Sequence, residues 1–362
     1  MSSDIRKLDS KFWTWFPKGI KEPQKINHFL NSRSDWLDKE IIKKFKENGL
    51  QEDFGLFAIG GYGSREIYPA SDIDISILQI NSRQAEYNKL EKFIASLWDL
   101  GMMVGHSVRT KNDIKRICKK DIKEFTSYLS LRPLCANLKS QKIMEEIFKD
   151  KEKLFPIKKF FLNKRDEQNR RYQSFDSTEF NLEPDIKESP GSLRDYQTGS
   201  WILNHCFKIL THEDIASSNF FNNEEFESIK DAHNSIKLFR YATNLIQKSS
   251  RNRLNFSTQI ELATKAKIKK SKEKQPVEKL MQLYFFNAEK LSIFNERILD
   301  RYEEASLFGI KKDYGEFFIK NNRIGLKREK LKKHKHLIFE IFIKLGQRKD
   351  ITNIDTNTEK IL

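Results

Sequence analysis

Gly60-Gly61-Tyr62-Gly63-Ser64-Arg65-Glu66, with Ser71-Asp72-Ile73-Asp74 shortly after it, carries the strongest chemical signal in this chain. The apolar run Phe54-Gly55-Leu56-Phe57-Ala58-Ile59 leads into it and reads as a buried strand that ends in a glycine-rich turn. Beyond Pro69, Ile73, Ile75 and Ile77 alternate with Asp72, Asp74 and Ser76, the period of a second strand. Two aspartates two residues apart on a strand project from the same face, where their carboxylates can share divalent cations. Glycines at the end of the preceding strand let an anion approach the backbone closely, and Ser64 adds a hydroxyl to the same phosphate. A phosphate cradle beside an Asp pair is the arrangement that metal-assisted nucleotidyl transfer requires, because Mg²⁺ takes oxygen ligands and bridges a triphosphate. Either half of the pattern alone is weak; the two in this order, between two strands, are specific.

Outward from this segment the chain changes texture. Residues 1–50 read as helical, with Leu30, Leu37, Ile41, Ile42 and Phe45 at helical spacing among charges. Residues 84–100 predict a helix, and 102–108 a third strand. Residues 51–145 thus form a small mixed α/β domain. From 150 to 310 the pattern is largely helical, clearest from Val277 to Ile298, with Pro276 at a helix start. The stretch from Ser174 to Pro190 breaks that pattern and reads as a functional or packed loop, with Ser192 as N-cap of a helix over 193–210. The lysine run at 265–274 reads as a solvated loop, and 311–362 as a C-terminal extension.

The 362 residues carry 67 Lys and Arg against 51 Asp and Glu, a formal net charge of +16. Such an excess suits an anionic partner, and equally a lysine-solvated surface. With 38% hydrophobic residues and 28 Phe the chain can build true cores, which excludes wholesale disorder. No apolar run is long enough to cross a membrane, the first residues show no secretory signal, and the three scattered cysteines suit a reducing cytoplasm.

The segments around the Asp pair resemble bacterial PII uridylyltransferases of the polymerase-β-like nucleotidyltransferase superfamily. The matching residues are Phe57 to Gly63 with Glu66 to Asp74, Leu97 to Gly101 with Val104 to Thr110, Tyr172, Asn181 to Lys187 with Ser189 to Asp195, and Val277 to Phe294. The resemblance implies an α+β fold, a polymerase-β-like nucleotidyltransferase domain with a small mixed sheet followed by a mainly helical domain. It implies transfer of UMP from UTP to a tyrosine of the PII signalling protein, with release of pyrophosphate, in the cytoplasm and in nitrogen regulation. Asp72 and Asp74 would hold Mg²⁺. Gly60, Gly61, Ser64, Arg65, Lys187 and Arg194 would bind the nucleotide. Asp121 matches a family position for the third carboxylate, and reads equally as a helix-start residue. His106 is a further candidate near the site. Arg194 and Asp195 read either as ligand contacts or as an interdomain ion pair.

The chain departs from the family in having Ser64 where Arg is usual and Ser192 where Gly is usual. Family members carry an HD phosphohydrolase domain and ACT domains after this region, and no His-Asp dipeptide occurs here, so the expectation is the transferase half alone. Competing readings are a transferase acting on RNA ends, whose activity would fall steeply with salt, and a degenerate module that binds PII or nucleotide without turnover. Nucleic acid and membranes are not expected partners.

Overall fold

The computed structural model describes residues 3–348 apart from 82–83, 100–102, 176–177, 179, 212–213, 216–217, 219, 307–311, 321–322 and 327–335, and beyond 348 describes 351, 353–355 and 358. The chain forms two compact units, Met1–Phe294 and Asn295–Leu362.

The first unit opens with helices α1 (Ser3–Gly19) and α2 (Ile26–Glu47). Strands β1 (Phe54–Ala58), β2 (Ile73–Gln79), β3 (Val104–Arg109) and β4 (Arg132–Cys135) form a mixed sheet in the order β3-β2-β1-β4. β1 is buried at every position, as its unbroken apolar run predicts. β2 lies antiparallel to β1 and parallel to β3. A parallel pair needs a long crossover, supplied by the predicted helix, α4 (Gln84–Trp98). Leu90, Phe93 and Leu97 of α4 share one core with Leu37, Ile41 and Phe45 of α2 and with Leu56, Ile75 and Ile77 of the sheet. The glycine-rich turn is a single helical turn, α3 (Gly60–Gly63), closed by Gly63 N–H to Ile59 O at 3.0 Å and Ser64 N–H to Gly60 O at 3.1 Å.

After β3, α5 (Lys111–Lys120) and α6 (Ile122–Tyr128) precede β4, and α7 (Leu138–Phe148), α8 (Lys151–Leu154) and α9 (Ile157–Gln173) follow it. The irregular stretch is packed. Asp185 Oδ1 accepts the N–H groups of Lys187 and Glu188, both at 2.8 Å, and Asp185 N–H donates to Ser189 Oγ at 2.7 Å. Gly191, at φ +72°, lies so close to Ala288 that a Cβ there would stand 2.5 Å from its carbonyl oxygen. Ser192 caps α10 (Leu193–Phe207), its Oγ accepting Arg194 N–H at 3.3 Å. That helix stops three residues short of the expected 210, at the left-handed Lys208. α11 (Asn223–Gln247), α12 (Phe256–Lys265) and α13 (Pro276–Ser306) complete the helical region, and the boundary between the two units falls within α13.

The second unit takes in the stretch expected as a C-terminal extension, 311–362. It holds a four-stranded sheet in the order β5 (Lys312–Tyr314), β6 (Phe317–Lys320), β7 (Arg323–Leu326), β8 (Asn353–Ile354). Helix α14 (Leu337–Gln347) packs on it, so that Leu337 and Ile341 meet Phe317, Ile319, Ile324 and Leu326. Arg323 is buried against Asp300 and Glu303. Among the described residues no helix is long and apolar enough to cross a membrane.

Candidate active site

A cleft of about 770 Å³ lies within the first unit, between the sheet with its short helices and the helical region. Asp72 precedes β2 and Asp74 is its second residue. Ile73 and Ile75 beside them are buried, so pleating turns both carboxylates outward into the cleft. Glycines flank Asp74. A Cβ on Gly60 would stand 3.4 Å from Asp74 Oδ2, and one on Gly105, its register partner on β3, would stand 2.6 Å from Oδ1. The carboxylate thus fills room that glycine leaves on either side.

The Asp74 carboxyl reaches the cleft, yet the surrounding walls withhold bulk water and raise its pKa; the charge of Asp72 adds to this, Lys187 opposes it, and Glu124 raises it further. Two carboxylates that penalise each other when ionised form a donor set that a cation relieves. Among the described residues no cluster of three or more His, Cys, Asp or Glu could hold an ion. Mg²⁺ is commonly held by one or two carboxylates with substrate phosphates and water supplying the rest, and the Asp72–Asp74 pair suits that mode.

Gly60, Gly61 and Ser64 line the cleft beside the Asp pair. Gly60 has φ +57°, whereas Gly61 is not in the left-handed region, and a Cβ on Gly61 would make only an ordinary contact with Glu66 O at 3.7 Å. The Ser64 hydroxyl turns back to the carbonyls of Gly60 and Gly61, at 3.3 and 3.2 Å. Lys187 and Arg194 line the same cleft from the helical region. Burial lowers the Lys187 pKa, and the charges of Arg240 and Arg194 push the same way. Arg194 grips Glu188 through Nε at 3.2 Å and Nη2 at 2.8 Å.

Three expected candidates lie outside the cleft lining. Arg65, in a left-handed conformation, points to an ion pair with Asp35. Asp121 is the N-cap of α6, its Oδ1 accepting Lys123 N–H at 2.8 Å and Glu124 N–H at 3.3 Å. His106 is exposed on the edge strand β3. Asp195 does not pair with its neighbour Arg194. It is fully buried, bound to Arg171, to Tyr172 Oη at 2.6 Å and to Gly191 N–H at 2.6 Å, and it fastens the loop to α9.

The cleft also contains Arg240 and Lys164, which no sequence motif flags, and Glu66, which ends the glycine-rich motif without an assigned role. Arg240 lies 4.0 Å from the Tyr68 ring centroid and donates from Nε to Asn252 Oδ1 at 2.9 Å. Glu66 bonds Lys237 at 2.7 Å. Lys164, nearly inaccessible, pairs with Glu167 at 2.9 Å and lies over Trp201. The one available signal was charge within α11, where Lys237 and Arg240 interrupt an apolar stretch.

Residues 159–299, which include the loop anchored by Asp195 and the helical wall of the cleft, match the family model described as GlnD PII-uridylyltransferase. The chain carries a PII-uridylyltransferase family domain. It is similar over 78% of its length, at 35% identity, to a bifunctional uridylyltransferase/uridylyl-removing enzyme of Haemophilus influenzae, covering 33% of that protein. A relative of the same description from Pseudoalteromonas translucida is 30% identical over 98% of this chain and 41% of its own length. One from Acinetobacter baumannii is 32% identical over 94% and 40%. The chain therefore spans about two-fifths or less of the length of these uridylyltransferase relatives, and the last two matches, over 98% and 94% of the chain, take in both the Asp pair and the helical wall.

Proposed function

We propose that this cleft transfers UMP from UTP to a tyrosine hydroxyl of a PII-type signalling protein and releases pyrophosphate. The observation that carries the reading is the Asp72–Asp74 pair, with Asp74 set between two glycines, sharing one cleft with Lys187 and Arg194. The names of the relatives support the uridylyl group, and the family model supports PII as the acceptor.

In this reading Asp72 and Asp74 would hold Mg²⁺, which would supply charge neutralisation for the triphosphate and the leaving pyrophosphate. Gly60 and Gly61 present backbone rather than side chain to the β- and γ-phosphates. Lys187 and Arg194 supply positive charge from the facing wall. The tyrosine oxygen attacks the α-phosphorus, the bond from that phosphorus to the α–β bridging oxygen breaks, and pyrophosphate departs with the bond's electrons. A tyrosine hydroxyl has an unperturbed pKa of about 10, so its proton must be taken up as the bond forms. In this reading a carboxylate of the Asp pair would receive it.

The test is mass spectrometry of PII incubated with the protein, Mg²⁺ and either UTP or ATP. A gain of one UMP on a tyrosine, with UTP only and lost in Asp72→Asn, is expected. Absence of that product with the wild type, or undiminished turnover in Asp72→Asn, would overturn the reading.

A further inference from the structure

Gln197, Ser200 and Asn204 all line the cleft from helix α10. Their spacing, i, i+3 and i+7, keeps them within about 60° of one another around the helix. Each has one side of its polar group already committed. Gln197 Oε1 accepts Arg194 Nη1 at 3.0 Å, and Asn204 Oδ1 accepts Lys151 Nζ at 2.9 Å. A guanidinium and an ammonium only donate, so both amides are held with oxygen towards the cation and NH₂ away from it. Among the described residues neither NH₂ group has an acceptor. The Ser200 hydroxyl donates to Tyr196 O at 2.8 Å, which leaves its lone pairs as acceptors. Read along the helix, this face offers a donor, an acceptor and a donor.

We infer that this face selects the nucleobase, with Gln197, Ser200 and Asn204 as specificity-determining residues for uracil. The inference rests on the nucleotidyltransferase reading above. The pairing edge of uracil is a carbonyl acceptor, an N–H donor and a carbonyl acceptor, the complement of the three groups. Cytosine keeps one carbonyl but presents an amino group to one of the amides, donor against donor, and a bare ring nitrogen that the Ser200 hydroxyl could meet only by releasing Tyr196 O. A site with fixed polar partners rejects a base that leaves them unpaired far more strongly than an apolar pocket rejects a change of size.

The experiment is calorimetric titration of the full chain with UTP and with CTP, each with Mg²⁺ and without acceptor protein. It is run for the wild type, Gln197→Glu and Asn204→Asp. Each substitution replaces an NH₂ donor by an oxygen acceptor of nearly the same shape and keeps the contact to Arg194 or Lys151. The expected result is that the wild type prefers UTP and that at least one variant loses about tenfold or more of that preference while still binding CTP. Unchanged preference in both variants, with thermal melts like the wild type, would overturn the inference and leave the transferase reading standing. A wild type that binds neither nucleotide would overturn both.

Discussion

Gly105 on β3 leaves the space that the carboxylate of Asp74 on β2 occupies: a Cβ at Gly105 would stand 2.6 Å from Asp74 Oδ1. The position needs a small residue because of its neighbour, since its own backbone is not in the left-handed region. In Gly105→Ala the methyl group would push the carboxylate aside, and a side-chain tip moves at little cost. The expected outcome is a thermal midpoint close to wild type with an initial transfer rate lower by about tenfold or more, since small misplacement of a reacting group costs that much. Wild-type rates in Gly105→Ala would show that Asp74 tolerates the displacement.

That relationship shows what can be read in one dimension. The Asp pair and the Gly60-Gly61 turn were legible because each is a local pattern between two apolar strands. Gly105 stood in plain view, but its role depends on the register between β2 and β3, which local sequence does not encode. Asp121 and Arg65 lie outside the cleft lining for local reasons that their sequence neighbours do not announce. A carboxylate two and three residues before backbone N–H groups is drawn into capping, and the left-handed Arg65 is turned to Asp35. The second unit's sheet escaped notice because strands of two to four residues are too short to show a period.

The two glycines of the turn are expected to differ. Gly60 has φ +57° and faces Asp74, whereas Gly61 has an ordinary backbone and open contacts. Gly60→Ala should lower both stability and UTP affinity, with about 1 kcal/mol of strain from the left-handed backbone. Gly61→Ala should leave stability near wild type. Paired thermal melts and UTP titrations check this, and equal losses in the two variants would contradict the assigned geometry.

Arg194 and Asp195 are adjacent in sequence and separate in role. Asp195 is buried against Arg171, Tyr172 and Gly191. Asp195→Ala leaves Arg171 without its countercharge and should cost about 3–5 kcal/mol in chemical denaturation. Arg194→Ala should cost far less stability and instead weaken UTP binding. If Arg194→Ala destabilised the fold as much as Asp195→Ala, its contact with Glu188 would be structural.

The last prediction turns on the sign of the Asp74 shift. Its pKa in the folded protein is raised, by burial first and then by the charge of Asp72. The folded state therefore holds a proton more tightly than the unfolded chain does, and above that raised pKa the ionised carboxylate is a burden to the metal-free fold. Asp74→Asn removes the burden. In chelator at pH ~7.5 the variant should melt above the wild type, and the gap should close as the pH falls towards the ordinary carboxylate range of about 4. Mg²⁺ should reverse the order at the higher pH, because an ion bound by the folded wild type stabilises it by mass action. The variant, with one carboxylate fewer, gains little. A wild type that melts above Asp74→Asn in chelator, or one that Mg²⁺ does not raise, would count against Asp72 and Asp74 as a shared cation site.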